Sequence, residues 1–198
     1  MPRKNRQDTV DEASIHHIVQ RSINRSAIFN MDEDYEYFKS LIRRYIERHG
    51  VSVYNYCVMS NHVHLLMYVN GMENLSKFIQ SLSLAYSSYY RNVYKYSGYL
   101  WQGRYRNFPI KSGEYLLECA RYIERSPARA GNNPINDVSD YRWSSYDFYA
   151  RGARDDIITK NPSFDGMGST DEEKREKYKE YILTPRPYEK VLDDVFNI

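Results

Sequence analysis

Two kinds of apolar periodicity alternate along this chain, and their order limits the fold more than any other sequence feature. Apolar runs typical of β-strands occupy residues 15–23, 51–69 and 105–110. Apolar residues recur at helical spacing in residues 34–48, 75–94 and 112–126. The long middle run is expected to bend near Ser60-Asn61 into a hairpin. The resulting order of strand, helix, strand, strand, helix, strand, helix predicts an α+β fold, an antiparallel sheet with helices packed on one face.

Single residues mark the ends of two predicted helices. Gly50 follows the first helix, and glycine ends many helices because it adopts the left-handed conformation at low cost. Pro127 follows the third helix, and a residue that precedes proline is disfavoured in the helical region. We therefore expect the third helix to stop at Ser126.

The length of the chain suits one compact domain with an extension. It has 198 residues, and single domains most often have about 100 to 150. We assign residues 14–150 to the domain and residues 151–198 to a partly helical C-terminal extension. Within the extension, residues 171–183 are a charged helix candidate, and Pro185 and Pro187 follow it. Residues 1–13 are a polar lead-in that we expect to be disordered.

The composition is that of a globular protein outside the membrane. Hydrophobic residues make up 41% and charged residues 27% of the chain, and no apolar run approaches the roughly 18 residues of a spanning helix. Residues 1–8 lack the apolar core of a signal peptide, so we expect a cytoplasmic protein with no membrane partner. Cys57 and Cys119 lie in apolar segments, which favours buried free thiols over a disulfide or a metal pair.

Positive charge and tyrosine are concentrated in the middle of the chain. Residues 86–129 contain eight lysines and arginines, three glutamates and nine tyrosines. Cations neutralise phosphates and aromatic faces stack on unpaired bases, so the mixture favours single-stranded or hairpin nucleic acid. A solvated helix face beside a tyrosine-rich core would have the same composition. Residues 100–105 leave the same alternatives open, because Arg104 and Arg106 would contact a DNA backbone whereas Trp101 would fill the core.

A pair of histidines interrupts the second half of the long strand region. His62 and His64 are two residues apart in a strand, so their side chains point to the same face of the sheet. Two imidazoles on one face form half of a metal site and leave positions open for water or substrate oxygens. An isolated His-x-His pair is also compatible with a purely structural role.

The third helix carries a tyrosine and a serine on one face. Tyr122 and Ser126 are four residues apart, which places them about one helical turn from each other. If that face meets the histidine face, a phenol and one extra oxygen ligand approach a divalent ion bound by two imidazoles. A tyrosine in water has a pKa of about 10, so attack on phosphorus needs a metal, a base or a cation such as Arg121 or Arg125.

Four motifs occur in a fixed order along the chain: His17-Ile18-Val19-Gln20-Arg21, Asn61-His62-Val63-His64-Leu65, Leu100-Trp101-Gln102-Gly103-Arg104-Tyr105, and the stretch from Tyr122 through Ser126-Pro127 to Gly131. Together they resemble the IS200-like tyrosine transposases, and most closely the branch associated with repetitive extragenic palindromes. The resemblance covers residues 14–150. It implies a ferredoxin-like fold and an HUH-type nuclease that cuts single-stranded DNA near a hairpin.

The resemblance also implies roles for individual residues. His62 and His64 would bind Mg²⁺ or Mn²⁺, and Tyr122 would become linked to the 5′ phosphate and free a 3′ hydroxyl. The implied partner is single-stranded or hairpin DNA with palindromic repeats. Related enzymes include dimers that share sites as well as monomers, so a homodimer and a monomer both stay open. The expected DNA-binding residues are Arg21, Arg104, Arg106, Arg121, Arg125 and Arg129.

One position departs from the family pattern. The related proteins carry an amide residue four positions after the tyrosine, asparagine in this branch, whereas this chain has Ser126. A hydroxyl is shorter than an amide and a poorer ligand, so Ser126 as the third metal ligand predicts weaker metal binding or a bridging water. The chain is then either a single-strand endonuclease and strand transferase or a weakened, domesticated DNA-binding protein. A His-x-His amidohydrolase is disfavoured, because those barrels usually exceed 198 residues.

Overall fold

The computed structural model describes residues 13–110, 113–130 and 137–186. The predicted lead-in over residues 1–12, Gly131 of the last motif and Pro187 lie outside these ranges. Short 3-10 turns occur at Ile23–Arg25, Ser126–Arg129 and Val138–Asp140. The strands and helices of the described ranges are β1 Ser14–Arg21, α1 Asp32–His49, β2 Val51–Val58, β3 His62–Val69, α2 Met72–Tyr94, β4 Arg106–Ile110, α3 Gly113–Glu124, α4 Tyr146–Arg151, α5 Pro162–Asp165 and α6 Asp171–Leu183.

The four strands form one antiparallel sheet in the order β2-β3-β1-β4. β2 and β3 are joined by the hairpin turn expected at Ser60-Asn61. α1 carries the chain from the centre of the sheet to one edge, and α2 carries it from β3 to β4 at the other edge. This arrangement confirms the α+β, ferredoxin-like fold that the sequence predicted.

Helices cover both faces of the sheet, so the expectation that they pack on one face is wrong. Val63, Leu65 and Met67 of β3 join the core beneath α1 and α2. Leu66, on the opposite face of the same strand, packs in a second core with Ile123 of α3. Because successive residues of a strand point to opposite faces and helices cover both faces, β3 is buried along its length except at the half-buried Tyr68. His62 and His64 therefore lie on the α3 side of the sheet.

A β-bulge in β2 changes which residues face α3. The register of β2 against β3 shifts between Val53 and Asn55. An extra residue in one strand reverses the facing of all residues beyond it. Val53 and Tyr56 consequently both contribute to the core under α1 and α2, while Cys57 joins the core under α3. The bulge also brings Asn55 next to α3, where its amide donates to Glu124.

The predicted helix ends are close to the observed ones. Gly50 ends α1 in the left-handed conformation, with φ of 60°. α3 ends at Glu124, and Ser126-Pro127 begins a 3-10 turn instead of continuing the helix. The restriction that proline places on its preceding residue accounts for this change.

Several aromatic residues of the tyrosine-rich region are structural. Trp101 packs near Phe38 and Tyr86, and its Nε1 donates to the backbone oxygen of Ser83 over 3.1 Å. Trp101 is half-buried and packs against the core, while DNA contact by Arg104 and Arg106 stays a prediction. Cys57 and Cys119 are buried free thiols, as predicted.

The chain beyond residue 150 packs closely on the preceding part. Thr159 donates its backbone N–H to the oxygen of Val53 at the edge strand β2, over 2.9 Å. Tyr149 of α4 and Tyr178 of α6 share a third buried cluster. The predicted boundary at residue 150 falls inside α4 and stays a prediction. Within the described ranges, none of the helices is long and apolar enough to cross a membrane.

Candidate active site

Three histidines meet on the face of the sheet that α3 covers. β1 and β3 pair so that Val19 lies opposite His64 and Arg21 opposite His62. His17 is therefore a diagonal neighbour of His64, and its Nε2 lies 2.9 Å from His64 Nδ1. The Nε2 atoms of His62 and His64 lie 3.1 Å apart. All three side chains are buried. The contact of His17 with His64 places His17 in the site as well as in the sheet.

The hydrogen bonds define where the imidazole protons lie. His62 Nδ1 is 2.6 Å from the side-chain oxygen of Asn61, which can only accept, so this nitrogen donates. In neutral His62 the Nε2 atom then accepts, and the bond comes from Nε2–H of His64. His64 Nδ1 is left as an acceptor for Nε2–H of His17. Asn61 therefore orients the chain of imidazoles from its exposed end.

All three imidazoles are held in the neutral form. Burial is the main cause that lowers the pKa of His62 to about 3, and the charges of Arg21, Arg129 and Arg25 add to it. Burial followed by Arg129 lowers the pKa of His17 to about 3. The pKa of His64 also lies well below its usual value, mainly through burial. Neutral imidazoles are the form that binds metals.

The histidine pair fits a divalent cation. Two nitrogens bound at right angles to one ion, each about 2.1 Å away, are separated by about 3.0 Å. The observed 3.1 Å between His62 Nε2 and His64 Nε2 is close to that spacing. Within the described ranges no three His, Cys, Asp or Glu side chains are grouped so as to hold a metal ion.

α3 places Tyr122 against this histidine group. The centroid of the Tyr122 ring lies 5.9 Å from the ring centroids of His17 and His64, with interplanar angles of 70° and 89°. The tyrosine ring thus meets both imidazoles edge to face. Its side chain is only 2% exposed. The sequence left open whether the Tyr122 face meets the histidine face, and the structure brings the two into contact.

Ser126 and Arg129 close the site from the 3-10 turn that follows α3. The Ser126 hydroxyl donates to the backbone oxygen of Tyr122 over 3.2 Å and lies 3.3 Å from Arg129 Nη2. Arg129 Cζ lies 4.2 Å from the centroid of the Tyr122 ring, so its guanidinium covers the phenol. Cations over aromatic faces are attracted by the ring. Ser126 is thus next to the nucleophile candidate, and its role as a metal ligand stays a prediction.

The arginines predicted to bind DNA divide into two groups. Arg104 is exposed, and Arg21, Arg106 and Arg129 are half-buried. Arg121 and Arg125, by contrast, are buried, with exposures of 1% and 8%. Contact of all six arginines with DNA stays a prediction.

Two further residues at this site were absent from the sequence prediction. Arg25 is exposed and close enough to lower the pKa of His62 and of Arg21 by its charge. Its backbone adopts φ of 56°, and its carbonyl accepts from the Asn61 side chain over 3.0 Å. Asn61 also orients His62. The position of Asn61 directly before His62 in the sequence could have indicated its role. Nothing in the sequence near Arg25 indicated that Arg25 lies beside the histidines.

Comparisons with known proteins show the family and the fold of this chain. Residues 10–126 match the model of the family described as transposase IS200 like, which is more than half of the chain. A solved structure of a REP-associated tyrosine transposase bound to a REP hairpin superposes with a TM-score of 0.63 at 16% identity, covering 80% of this chain and 92% of that one. A protein from Deinococcus radiodurans R1 assigned as a transposase has a TM-score of 0.43 and 20% identity, with coverages of 62% and 95%. No curated protein matches the chain. The family match and the shared fold together show that this chain belongs to the IS200-like transposases.

Proposed function

We propose that the protein is a single-strand DNA endonuclease and strand transferase in which Tyr122 attacks the scissile phosphate. The observation that carries the proposal is the contact of the Tyr122 ring with His64, whose Nε2 lies 3.1 Å from that of His62. The histidines of β3 and the tyrosine of α3, which are far apart in the sequence, thus come together within a single chain. The REP-associated transposase of the same fold binds a REP hairpin, which supports hairpin DNA as the substrate class.

The reaction exchanges one phosphodiester for another. The phenolic oxygen of Tyr122 forms a bond to phosphorus, the bond from phosphorus to the 3′ oxygen breaks, and the phenolic proton is lost while the 3′ oxygen gains one. The product is a 5′-phosphotyrosine with a free 3′ hydroxyl, so the bond energy is conserved for rejoining. A Mg²⁺ or Mn²⁺ ion held by His62 and His64 would polarise a phosphate oxygen there.

The histidine protons must be redistributed before both Nε2 atoms can act as ligands. In the hydrogen-bonded chain, His64 Nε2 donates to His62 Nε2. For both lone pairs to point outward, the proton of His17 moves from Nε2 to Nδ1 and that of His64 also moves from Nε2 to Nδ1, so that His64 Nδ1–H donates to His17 Nε2, 2.9 Å away. His17 is thereby a positioning residue that holds the His64 ring in the required tautomer.

A cationic rim beside the histidines supports a DNA path into the site. Arg21, Arg25 and Arg129 all act electrostatically on His62, and Arg106 acts on Arg21. Arg21 is held by a bond of 2.9 Å from its Nε to the side chain of Gln102. Such a group attracts phosphates and adds affinity that depends on salt.

Substrate entry requires side chains around the buried Tyr122 to move, and the Arg129 guanidinium lies over its ring. A DNA phosphate offers Arg129 a stronger, charge-assisted partner than an aromatic face does. We infer that the scissile phosphate draws Arg129 away from the ring and exposes the phenolic oxygen. Arg129 then neutralises charge on the same phosphate that Tyr122 attacks.

The experiment incubates the protein with labelled single-stranded hairpins from the surroundings of its gene, with Mg²⁺ or Mn²⁺, followed by denaturing electrophoresis. We expect a slow-migrating, protease-sensitive adduct that disappears with EDTA and in Tyr122→Phe. Tyr115→Phe is the matched control, because Tyr115 lies on the same helix α3 but is 68% exposed. Unchanged adduct formation by Tyr122→Phe would exclude Tyr122 as the nucleophile.

A second candidate function is DNA binding without efficient cleavage. It is favoured by Ser126, which stands in place of an amide residue and whose hydroxyl is engaged with the Tyr122 carbonyl. Binding of hairpins without an adduct, with either metal, would support this candidate.

A further inference from the structure

The helix that carries Tyr122 is held between the sheet and the C-terminal segment. On the sheet side, Leu116, Ala120 and Ile123 pack in the core shared with β2 and β3. On the other side, Leu117 packs against the cluster that includes Tyr178. α3 is only 12 residues long, and helices of this length are marginal without tertiary contacts. Its orientation therefore depends on both partners.

A buried polar network links the end of α3 to α6. Glu124 is fully buried, and its Oε1 accepts from Asn55 Nδ2 over 2.9 Å and from the Ser145 hydroxyl over 2.5 Å. Tyr178 of α6 also hydrogen-bonds to Glu124, and its hydroxyl lies 3.1 Å from Asn55 Nδ2. Asn161 Nδ2 in turn donates to Asn55 Oδ1 over 3.0 Å. Two residues after the nucleophile candidate, the backbone is thus fixed by side chains from β2 and α6.

Arg125 makes a second link of a different kind. Its Nη1 donates to the backbone oxygens of Ile182 and Leu183 over 3.1 and 3.0 Å. These carbonyls lie at the C-terminal end of α6, where helix oxygens lack partners and carry partial negative charge. Arg125 therefore caps α6, and its buried position has a structural cause that the prediction of DNA binding did not include.

A third link joins the middle of α3 to the end of the described chain. The Tyr181 hydroxyl donates to Glu118 Oε1, and Arg186 Nη1 lies 2.6 Å from the same oxygen. Glu118 is one turn before Tyr122. The links therefore occur on both sides of Tyr122 along the helix, at residues 118, 124 and 125.

We propose that α6 is a positioning element for the nucleophile, with Tyr178 and Arg125 holding α3 so that Tyr122 meets the edge of His64. Rotation of α3 by one residue would turn Tyr122 by about 100° and remove it from the histidines. The match to the transposase family ends at residue 126, so α6 lies outside the matched residues. This inference rests on the function proposed for Tyr122.

The first test measures the position of Tyr122 without relying on activity. 3-fluorotyrosine is incorporated at position 122 alone, and its ¹⁹F resonance is compared in the full-length parent, Tyr178→Phe and Tyr149→Phe. Tyr149 is the matched control because it is as buried as Tyr178 and lies in the same cluster, but its hydroxyl bonds to Tyr54 and Asn161 rather than to α3. We expect a shifted or doubled resonance in Tyr178→Phe and the parental resonance in Tyr149→Phe.

The second test separates the chemical step from DNA binding. The rate of adduct formation is measured at saturating hairpin DNA and at a temperature where thermal unfolding shows Tyr178→Phe and Arg125→Lys to be folded. Tyr178→Phe should form the adduct at least about tenfold more slowly than the parent protein, because small misplacements of reacting groups reduce the rate by this much. Its affinity for DNA should stay within about twofold. Arg125→Lys, which keeps the charge but lacks the guanidinium Nη1 that donates to both carbonyls, should show the same pattern.

The outcomes distinguish the two proposals. Parental ¹⁹F spectra and adduct rates in Tyr178→Phe and Arg125→Lys, beside an active parent protein, would overturn the positioning role of α6. An equal loss in Tyr149→Phe and Tyr178→Phe would overturn it too, because general loosening of the cluster would then be the cause. Absence of any adduct in the parent protein would instead count against the proposed function, while the ¹⁹F comparison would still test the positioning.

Discussion

The Nε2 atoms of His62 and His64 lie 3.1 Å apart on the face of the sheet beneath Tyr122. The separation matches two ligands at right angles around one cation. It also means that, without a cation, one imidazole donates a proton directly to the other. For the proposed reaction, the same two atoms would exchange this hydrogen bond for a cation, and the exchange would depend on which nitrogen of His64 carries the proton.

Removal of one imidazole should weaken metal binding. We expect His64→Gln to bind Mn²⁺ at least about tenfold more weakly than the parent protein, because an imidazole ligand is lost and the bond to His17 is broken. Calorimetric titration of the metal-free proteins with Mn²⁺ measures this directly. His49→Gln is the control, since His49 lies at the end of α1 and contacts Ser81. Equal Mn²⁺ affinity in the parent and His64→Gln would exclude this metal site.

Restoring an amide after the tyrosine should strengthen the site if Ser126 is the third ligand. Ser126→Asn adds a carbonyl oxygen with longer reach at the end of α3. We expect tighter Mn²⁺ binding and faster adduct formation than in the parent protein. Identical titration curves for both proteins would mean that water or another residue completes the ligand set.

The arginines of the cationic rim should contribute salt-dependent affinity. Arg21→Ala should weaken hairpin binding and reduce the slope of log K against log salt by about 0.7 to 0.9, the value for one phosphate contact. Arg154→Ala is the control, because Arg154 is highly exposed and paired with Asp156. Fluorescence anisotropy over a series of salt concentrations gives both slopes. A parental slope in Arg21→Ala would show that Arg21 makes no phosphate contact.

Local periodicity was enough to predict the chemical groups of the site but not their full surroundings. The i, i+2 spacing of His62 and His64 and the i, i+4 spacing of Tyr122 and Ser126 fix which side chains share a face. Neither period tells which face of the sheet a helix covers. For that reason α3 was expected on the same side as the other helices, whereas it packs on the opposite side.

Long-range partners explain what composition could not predict. Arg125 counted as one cation in a basic segment, and only the fold shows that it caps α6, 57 residues further along the chain. Asn55 reaches Glu124 because a bulge in β2 reverses its facing. Bulges of this kind have no reliable local sequence signal. Residues 171–183 were predicted as a helix with the bounds observed for α6, but the contact of α6 with α3 depends on these long-range partners.

The buried carboxyl of Glu124 should make stability depend on pH in a defined direction. Burial raises its pKa from 4.5 to about 7, although hydrogen bonds from Ser145, Asn55 and Tyr178 oppose the shift. Between these values the native protein keeps a proton that the unfolded chain has lost. The free energy of unfolding should therefore fall as pH rises from about 4.5 to 7, by about 3 kcal/mol from this group.

Glu124→Gln isolates this contribution, because glutamine keeps an acceptor oxygen and cannot ionise. We expect the variant and the parent protein to differ little near pH 4.5, and the variant to become the more stable of the two by pH 7.5. Urea unfolding at a series of pH values measures the difference. Glu180→Gln, which alters an exposed carboxylate on α6, should leave the pH dependence unchanged. A difference between Glu124→Gln and the parent that is constant from pH 4.5 to 7.5 would show that Glu124 has the same pKa in both states.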